Sequence, residues 1–259
     1  MATAVSFTAP SQLRIYRNEI CFELLKLVRT RSYLFSMIGF PVIFYLLFGV
    51  ANKNDMYQHH SIARYLLAGY SCFGAMGSAL FGIGAGLAFE RGHGWLELKR
   101  SSPMPATAYL LAKLCVAVTF GVGITTLLIG LGVTFAGVHL TAVEALSLLG
   151  TIAAGVLPFA SLGFIVGLLM PSNAAPGVIN LIYLPLSFCG GLWMPIETLP
   201  HWMQVLAHGL PSFWFSRLAL GTLGYWDGSS ATAWNRLAGY TVLFLLVAAL
   251  IFRRQEAQA

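Results

Sequence analysis

Charge is scarce in this sequence. Charged residues fill 9% of its 259 positions, against about 25% in an ordinary soluble domain. Hydrophobic residues fill 58%, and the mean hydropathy is +0.76. Such a composition excludes a soluble globular chain and makes the bilayer its solvent. Any Gly-Lys pair is also missing, and without one no P-loop can cradle a nucleotide phosphate. The four cysteines, Cys21, Cys72, Cys115 and Cys189, are single and scattered, which gives neither a metal spacing nor an evident disulfide. No Asp, Glu, His or Lys falls near the middle of a long apolar run; Lys113 and Glu144 are read as lying in the first turns of theirs. That removes the intramembrane ionisable group on which proton- or sodium-coupled transport depends. It also removes the buried His or carboxylate pair of an intramembrane hydrolase. His59, His60, His139, His201 and His208 fall outside the runs or at their outer ends, and His93 lies in a loop. His201 and His208 stand two turns apart without a third ligand, so no metal site is expected. Nothing resembles a nucleic-acid-binding motif.

What is present is length in the apolar runs. Six are drawn, over residues 33–51, 64–89, 106–138, 142–170, 177–194 and 231–252. Each is read as a helix, since about 20 helical residues cross a hydrocarbon core about 30 Å thick. Continuous apolarity excludes a transmembrane barrel, whose strands of about 10 residues alternate in polarity. The expectation is an all-α integral membrane protein with six transmembrane helices, forming a single domain over residues 1–259. Residues 1–10 lack a basic start, so no signal peptide is expected and the first run serves as the membrane signal.

Basic residues orient the runs, because cytoplasmic flanks accumulate Lys and Arg. An even number of spans places both termini on one side, and that side holds eleven of them: Arg14, Arg17, Lys26, Arg29, Arg31, Arg91, Lys99, Arg100, Lys113, Arg253 and Arg254. The other side holds four, Lys53, Arg64, Arg217 and Arg236. Both termini are therefore expected in the cytoplasm. Topology and anionic lipid account for the net charge of +6.

Local patterns add detail. Leu13, Tyr16, Ile20, Leu24 and Leu27 recur at spacings of 3, 4, 4 and 3, predicting an amphipathic interfacial helix within residues 10–31. Gly74, Ser78, Gly82 and Gly86 in the second run, and Gly163 and Gly167 in the fourth, form small-residue ridges suited to close packing within the chain. Pro158 and Pro185 are expected to kink the fourth and fifth runs. In the external segment 190–230, Thr198 and Ser212 are read as caps of two short helices ending at Gly209 and Gly221. Trp193, Trp202 and Trp214 suit a half-inserted cap at the headgroup level.

Two stretches carry a family resemblance. The first is the unusually charged loop AFERGHGWLELKRSSPMPATAYLLAK, with Glu90, Arg91, Gly94, Leu96, Leu98 and Pro103, followed by Tyr109 and Lys113. The second is GGLWMPIETLPHWMQ, with Gly190, Gly191, Pro195, Ile196, Glu197, Pro200 and Trp202. Together, at this length and topology, the chain resembles the permease subunits of type-2 ATP-binding cassette (ABC) transporters, and the similarity runs nearly end to end. The resemblance implies a homo- or heterodimer of permeases bound to two copies of an ATP-binding subunit, with ATP and Mg on that partner and no cofactor on this chain. It implies a bacterial inner-membrane exporter that is not itself an enzyme. It also implies that residues 90–105 and the N-terminal helix meet the ATPase. Trp95, Leu96 and Leu98 are suited to fill a groove, with Glu90, Arg91, Glu97, Lys99 and Arg100 pairing around its rim. The external cap is marked by Pro195, Glu197, Pro200 and Trp202. The path near spans one, two and five is assigned to Tyr70, Phe73, Asn180, Tyr183, Ser187 and Phe188, which suit an amphipathic or apolar substrate such as a drug, a lipid or a lipid-linked glycan. A channel or lipid scramblase working without ATP is the competing expectation.

Overall fold

The computed structural model describes residues 12–256 apart from His59, Ser102 and Pro103, and leaves the side chains of Ser32, Glu97, Arg100, Ala106 and Glu256 outside the description. Almost every element is helical. The chain opens with α1 (Gln12–Arg29), followed directly by α2 (Arg31–Phe44), which runs on as a π-helical segment, Tyr45–Val50. A two-residue hairpin, β1 (Met56–Tyr57) and β2 (His60–Ser61), leads into α3 (Ile62–Ala79). The same rod continues through a π-helical segment, Leu80–Ala85, into α4 (Gly86–Gly92). Then come α5 (Trp95–Arg100), α6 (Ala106–Phe135), α7 (Ala142–Gly155), α8 (Leu157–Leu169) and α9 (Ala175–Cys189). Last are α10 (His201–Ala207), α11 (Pro211–Thr222) and α12 (Ser230–Glu256).

Among the described residues, five helical stretches are long and apolar enough to cross a membrane: Tyr33–Val50, Ile62–Gly92, Thr107–Phe135, Ala142–Leu169 and Ser230–Gln255. The fifth apolar run of the sequence becomes α9, 15 residues long, or about 22 Å at 1.5 Å per residue. It stops at Cys189, five residues before the end of the run. Gly191 then takes φ +71°, a left-handed conformation that favours glycine and turns the chain, and Leu192–Pro195 follow as non-helical backbone.

The core is built around α3, where every residue except Ile62 and Arg64 is buried. Small side chains let its neighbours approach. A Cβ on Gly74 would lie 2.7 Å from Ile124 of α6, and one on Gly163 would lie 3.0 Å from the Ala79 carbonyl. The two small-residue ridges thus face partners inside the chain, giving the close backbone contact on which helices in lipid rely. By contrast α12 shows its apolar surface outward, with only 11% of its spanning window buried. Pro158 occupies the first turn of α8, just after the fourth span is interrupted at Val156.

The starts of α10 and α11 differ from their sequence reading. Thr198 lies in a short 3-10 turn and donates to the Pro195 carbonyl at 2.6 Å, and α10 starts after Pro200. Ser212 sits inside the first turn of α11, which starts at Pro211. Proline marks each start instead: Pro200 is the residue before α10, and Pro211 is the first residue of α11, where its fixed φ suits the helix and its missing N–H would be unpaired.

Candidate functional site: a buried ion cluster beneath the charged loop

Glu90, near the end of the second spanning helix, has no exposed surface. Its Oε1 accepts from Lys113 Nζ at 2.7 Å and from Lys26 Nζ, and its Oε2 accepts from the Tyr109 hydroxyl at 2.6 Å. Glu23 on α1 is 3% exposed. It accepts from Lys113 at 2.8 Å and from Lys99 at 2.9 Å. Lys99 on α5 also donates to Glu19 at 2.6 Å. Three carboxylates, Glu19, Glu23 and Glu90, thus interleave with three ammonium groups, Lys26, Lys99 and Lys113. The cluster is electrically neutral, and every ion in it has an opposite partner.

Local structure explains the convergence. Glu19, Glu23 and Lys26 are spaced by 4 and 3 along α1 and so share one face. That face packs on the start of α6, where Tyr16 and Thr107 hydroxyls meet at 2.7 Å. Lys113 is the eighth residue of α6, so it lies about two turns in rather than in the first turn. Tyr109 spaces the cations: the Lys99 and Lys113 ammonium groups stand 4.6 and 5.3 Å from its ring centroid. One cluster therefore joins α1, α4, α5 and α6.

Burial alone would raise the Glu23 carboxyl pKa, but the charge of Lys113 overrides it, opposed by Glu90 and assisted by Lys26, and holds the group below the usual carboxylate range. Burial alone would lower Lys99, yet Glu19 and Glu23 hold it above the ordinary lysine value. The signs set a window. A depressed carboxyl contributes stability above its unfolded pKa, about 4.3, and loses it as pH falls through the folded value. A raised lysine contributes stability below its unfolded pKa, about 10.4, and loses it as pH rises through the folded value. We expect α1 to stay docked between about pH 5 and 10 and to loosen outside that window. Hydrogen exchange of the α1 amides across pH measures it; protection that falls in mid-range would contradict this.

Arg91 acts elsewhere. Its guanidinium donates to the Gly167 carbonyl at 2.8 Å and to that of Leu168, at the C-terminal end of α8. Gln255 of α12 also donates to Leu168 O, at 2.9 Å. A cation at a helix C-terminus meets both the open carbonyls and the negative end of the dipole.

The loop residues therefore divide into two sets. Glu90, Arg91 and Lys99, grouped by sequence as part of one outer rim, have internal partners, and Leu96 packs against the core. Trp95 and Leu98 face outward, 48% and 72% exposed, beside Phe89 at 44%. Lys26 lies 5.7 Å from the Trp95 ring centroid. Gly94, at φ +73°, makes the turn that reverses the chain between α4 and α5. The Glu97 and Arg100 side chains and Pro103 lie outside the described residues.

The residues assigned to a path also separate. Tyr183 donates to the Phe73 carbonyl at 2.9 Å, and their rings stack at 4.6 Å. Ser187 donates to Tyr183 O at 2.6 Å. Phe44 joins Tyr70 and Phe73 to Trp193, which also meets Phe188. Tyr70, Phe73, Tyr183 and Ser187 are buried in the single chain, Phe188 is half-buried, and Asn180 is exposed.

On the opposite face Glu197 accepts from Tyr57 at 2.8 Å and from Arg217 at 3.0 Å, tying the β1–β2 hairpin to α11. Burial opposes ionisation of Glu197, and Arg217 outweighs it, holding the carboxyl low; burial and Glu197 push the Tyr57 hydroxyl up to about 12. Pro195 is buried, whereas Pro200 and Trp202 are exposed. Among the described residues no three His, Cys, Asp or Glu side chains gather as for a metal.

Sequence reasoning marked Glu90 but missed Lys26 as its partner and Glu19 and Glu23 as the other acids of the cluster. Two signals were available: the 4 and 3 spacing on the packed face of α1, and a lysine inside an otherwise apolar run.

Comparison with known proteins agrees with this architecture. The family model described as ABC-2 type transporter matches residues 19–224. The chain is also 30% identical over 252 residues to a Bacillus subtilis (strain 168) protein named "Putative transport permease YvfS", covering 95% of this chain and all of that one. Glu19 and Glu23 of α1, and the segment from Gly190 to Gly224, lie within the matched region, and the chain belongs to the ABC-2 type transporter family.

Proposed function

We propose that this chain is the membrane half of an ATP-driven exporter, and that α5 passes a partner's motion to the spans through the buried cluster. Its family membership makes it a multi-pass membrane permease of an ABC transporter, working with an ATP-binding subunit. The observation that carries the coupling reading is the split of the loop. Trp95 and Leu98 are left bare, while Lys99, on the same short helix, is held by Glu19 and tied through Glu23 to Lys113 and Glu90. A push on α5 is thereby delivered to α1, to the end of the second span and to the start of the third. Arg91 extends the frame to α8.

In this reading α9 counts as a sixth, short span, both termini are cytoplasmic, and the membrane is a bacterial inner membrane. Two permeases, identical or different, carry two ATP-binding subunits, which hold ATP and Mg. The loop surface that meets them comprises Gly94, Trp95, Leu96, Glu97, Leu98 and Arg100, held from behind by Glu90 and Arg91. The substrate is amphipathic or apolar, in keeping with the aromatic character of Tyr70, Phe73, Tyr183 and Phe188, with Ser187 and Asn180, near the proposed path; in the single chain Tyr70, Phe73, Tyr183 and Ser187 are buried. Pro195, Glu197, Pro200 and Trp202 belong to the cap on the exit side.

Two measurements test this. Ser101 and Ser229 are both exposed, so cysteines placed there report the side of the membrane rather than burial. Ser229→Cys should react with an impermeant reagent in intact cells and Ser101→Cys only after lysis; the reverse would overturn the orientation. In proteoliposomes, substrate movement should require both the ATP-binding subunit and ATP. Movement by this chain alone, without nucleotide, would make it a channel or scramblase.

A further inference from the structure

The sequence pattern of α1 points its regular apolar stripe at the membrane, yet the structure turns much of that stripe inward. Tyr16, Ile20, Leu24 and Leu27 are half-buried, and both acids of α1, Glu19 and Glu23, point inward with them onto lysines. What remains outside is a second face. Phe22, Leu25 and Val28 are 67%, 48% and 51% exposed, and Cys21 lies among them. Arg14, Arg17 and Arg29 are exposed with them. None of the three pairs with a carboxylate among the described residues. At 100° per residue, Arg14, Cys21, Leu25 and Val28 centre on the side opposite Glu23. The outer face of α1 is therefore apolar and cationic, with no acid on it.

We propose that this face is a binding surface for acidic phospholipid headgroups in the leaflet on which α1 lies. Placement supports it, since α1 packs on the first turns of α6, a helix long and apolar enough to cross a membrane, and the end of such a helix belongs near the headgroups. Chemistry supports it as well. Phe22, Leu25 and Val28 match the acyl boundary, and arginine stems lie along apolar surface while their guanidinium groups reach phosphate. The inward turn of Glu19 and Glu23 matters to both faces. The same two carboxylates that anchor α5 and α6 are withheld from the lipid side, leaving a field of one sign there. The proposal rests on the interfacial position of α1 and not on ATP coupling, so its failure is separable from failure of the transport reading.

The test uses the full chain, with Cys115→Ser and Cys189→Ser leaving Cys21 as the accessible thiol, since Cys72 is buried. Cys21 is labelled with bimane, and the protein is reconstituted into phosphatidylcholine vesicles. Equal small fractions of brominated phosphatidylglycerol or brominated phosphatidylcholine are then compared as quenchers. The acidic lipid should quench more strongly, with local enrichment of about five-fold per engaged arginine at low salt, declining as salt is added. Arg14→Gln, Arg17→Gln and Arg29→Gln together should erase the preference and leave quenching by brominated phosphatidylcholine intact. Equal quenching by the two lipids with all three arginines in place would overturn the proposal. Quenching by neither would also overturn it, because the face would then be covered by protein or water. The native comparison decides alone, even where the triple variant does not fold.

Discussion

Glu90→Ala will uncouple this permease from its ATPase while leaving it inserted in the membrane. The substitution removes the one acceptor shared by Lys26, Lys113 and Tyr109 and leaves two ammonium groups with less negative charge around them. Breaking a buried ion pair from one side costs about 3–5 kcal/mol, a large share of a typical stability of about 5–15 kcal/mol. We expect a clearly lower thermal midpoint in detergent and a loss of at least about 30-fold in substrate-stimulated ATP hydrolysis by the complex. Insertion should survive, because the apolar spans that drive it are untouched.

A paired substitution separates stability from transmission. Glu90→Gln with Lys113→Met removes one charge of each sign, leaving Glu19 and Glu23 opposite Lys26 and Lys99. Neutralising both partners of a buried pair is often nearly neutral for stability, so the thermal midpoint should recover towards that of the unmodified protein. Coupled hydrolysis should stay low, because the link from α5 to the second and third spans is cut. If single and paired variants both keep normal hydrolysis, the cluster does not carry the motion.

Leu98→Asp should behave in the opposite way. Leu98 is 72% exposed, so the change costs the isolated chain little, since surface substitutions usually stay within about 0.5 kcal/mol. At the centre of a desolvated interface the same carboxylate would cost about 2 kcal/mol or more, or about 30-fold in association. Co-purification with the ATP-binding subunit should fail while expression and the thermal midpoint hold. An intact complex would show that α5 is not the docking element.

Five of the six expected spans and the small-residue ridges were legible in the sequence for a physical reason. Lipid forces every crossing segment into a long apolar helix and rewards backbone contact at glycine, so each leaves a strong linear signal. The short α9 was less legible, because Leu192 and Trp193 continue the apolar run after Gly191 has already turned the chain. The ion cluster was half legible. Glu90 and Lys113 stand out against apolar surroundings, but Glu19, Glu23 and Lys26 look like any solvated face until α1 is laid against α6. The regular stripe of Tyr16, Ile20, Leu24 and Leu27 on α1 is half-buried against the rest of the chain, because such a stripe marks a packed face in protein as readily as a membrane face. Arg91 was seen as part of a rim, and only the three-dimensional arrangement puts the carbonyl end of α8 beside it.

The measurement that bears most directly on the account places a photo-reactive amino acid at position 98 of the full chain, co-expressed with its ATP-binding subunit in native membranes. Irradiation is predicted to give one adduct, at the summed mass of the two subunits, and the same probe at position 205, exposed on α10 and proposed to lie on the exit side, is predicted to give none. An adduct from position 205, or none from position 98 in a complex that hydrolyses ATP, would contradict the assignment of α5 as the surface through which the partner drives this permease.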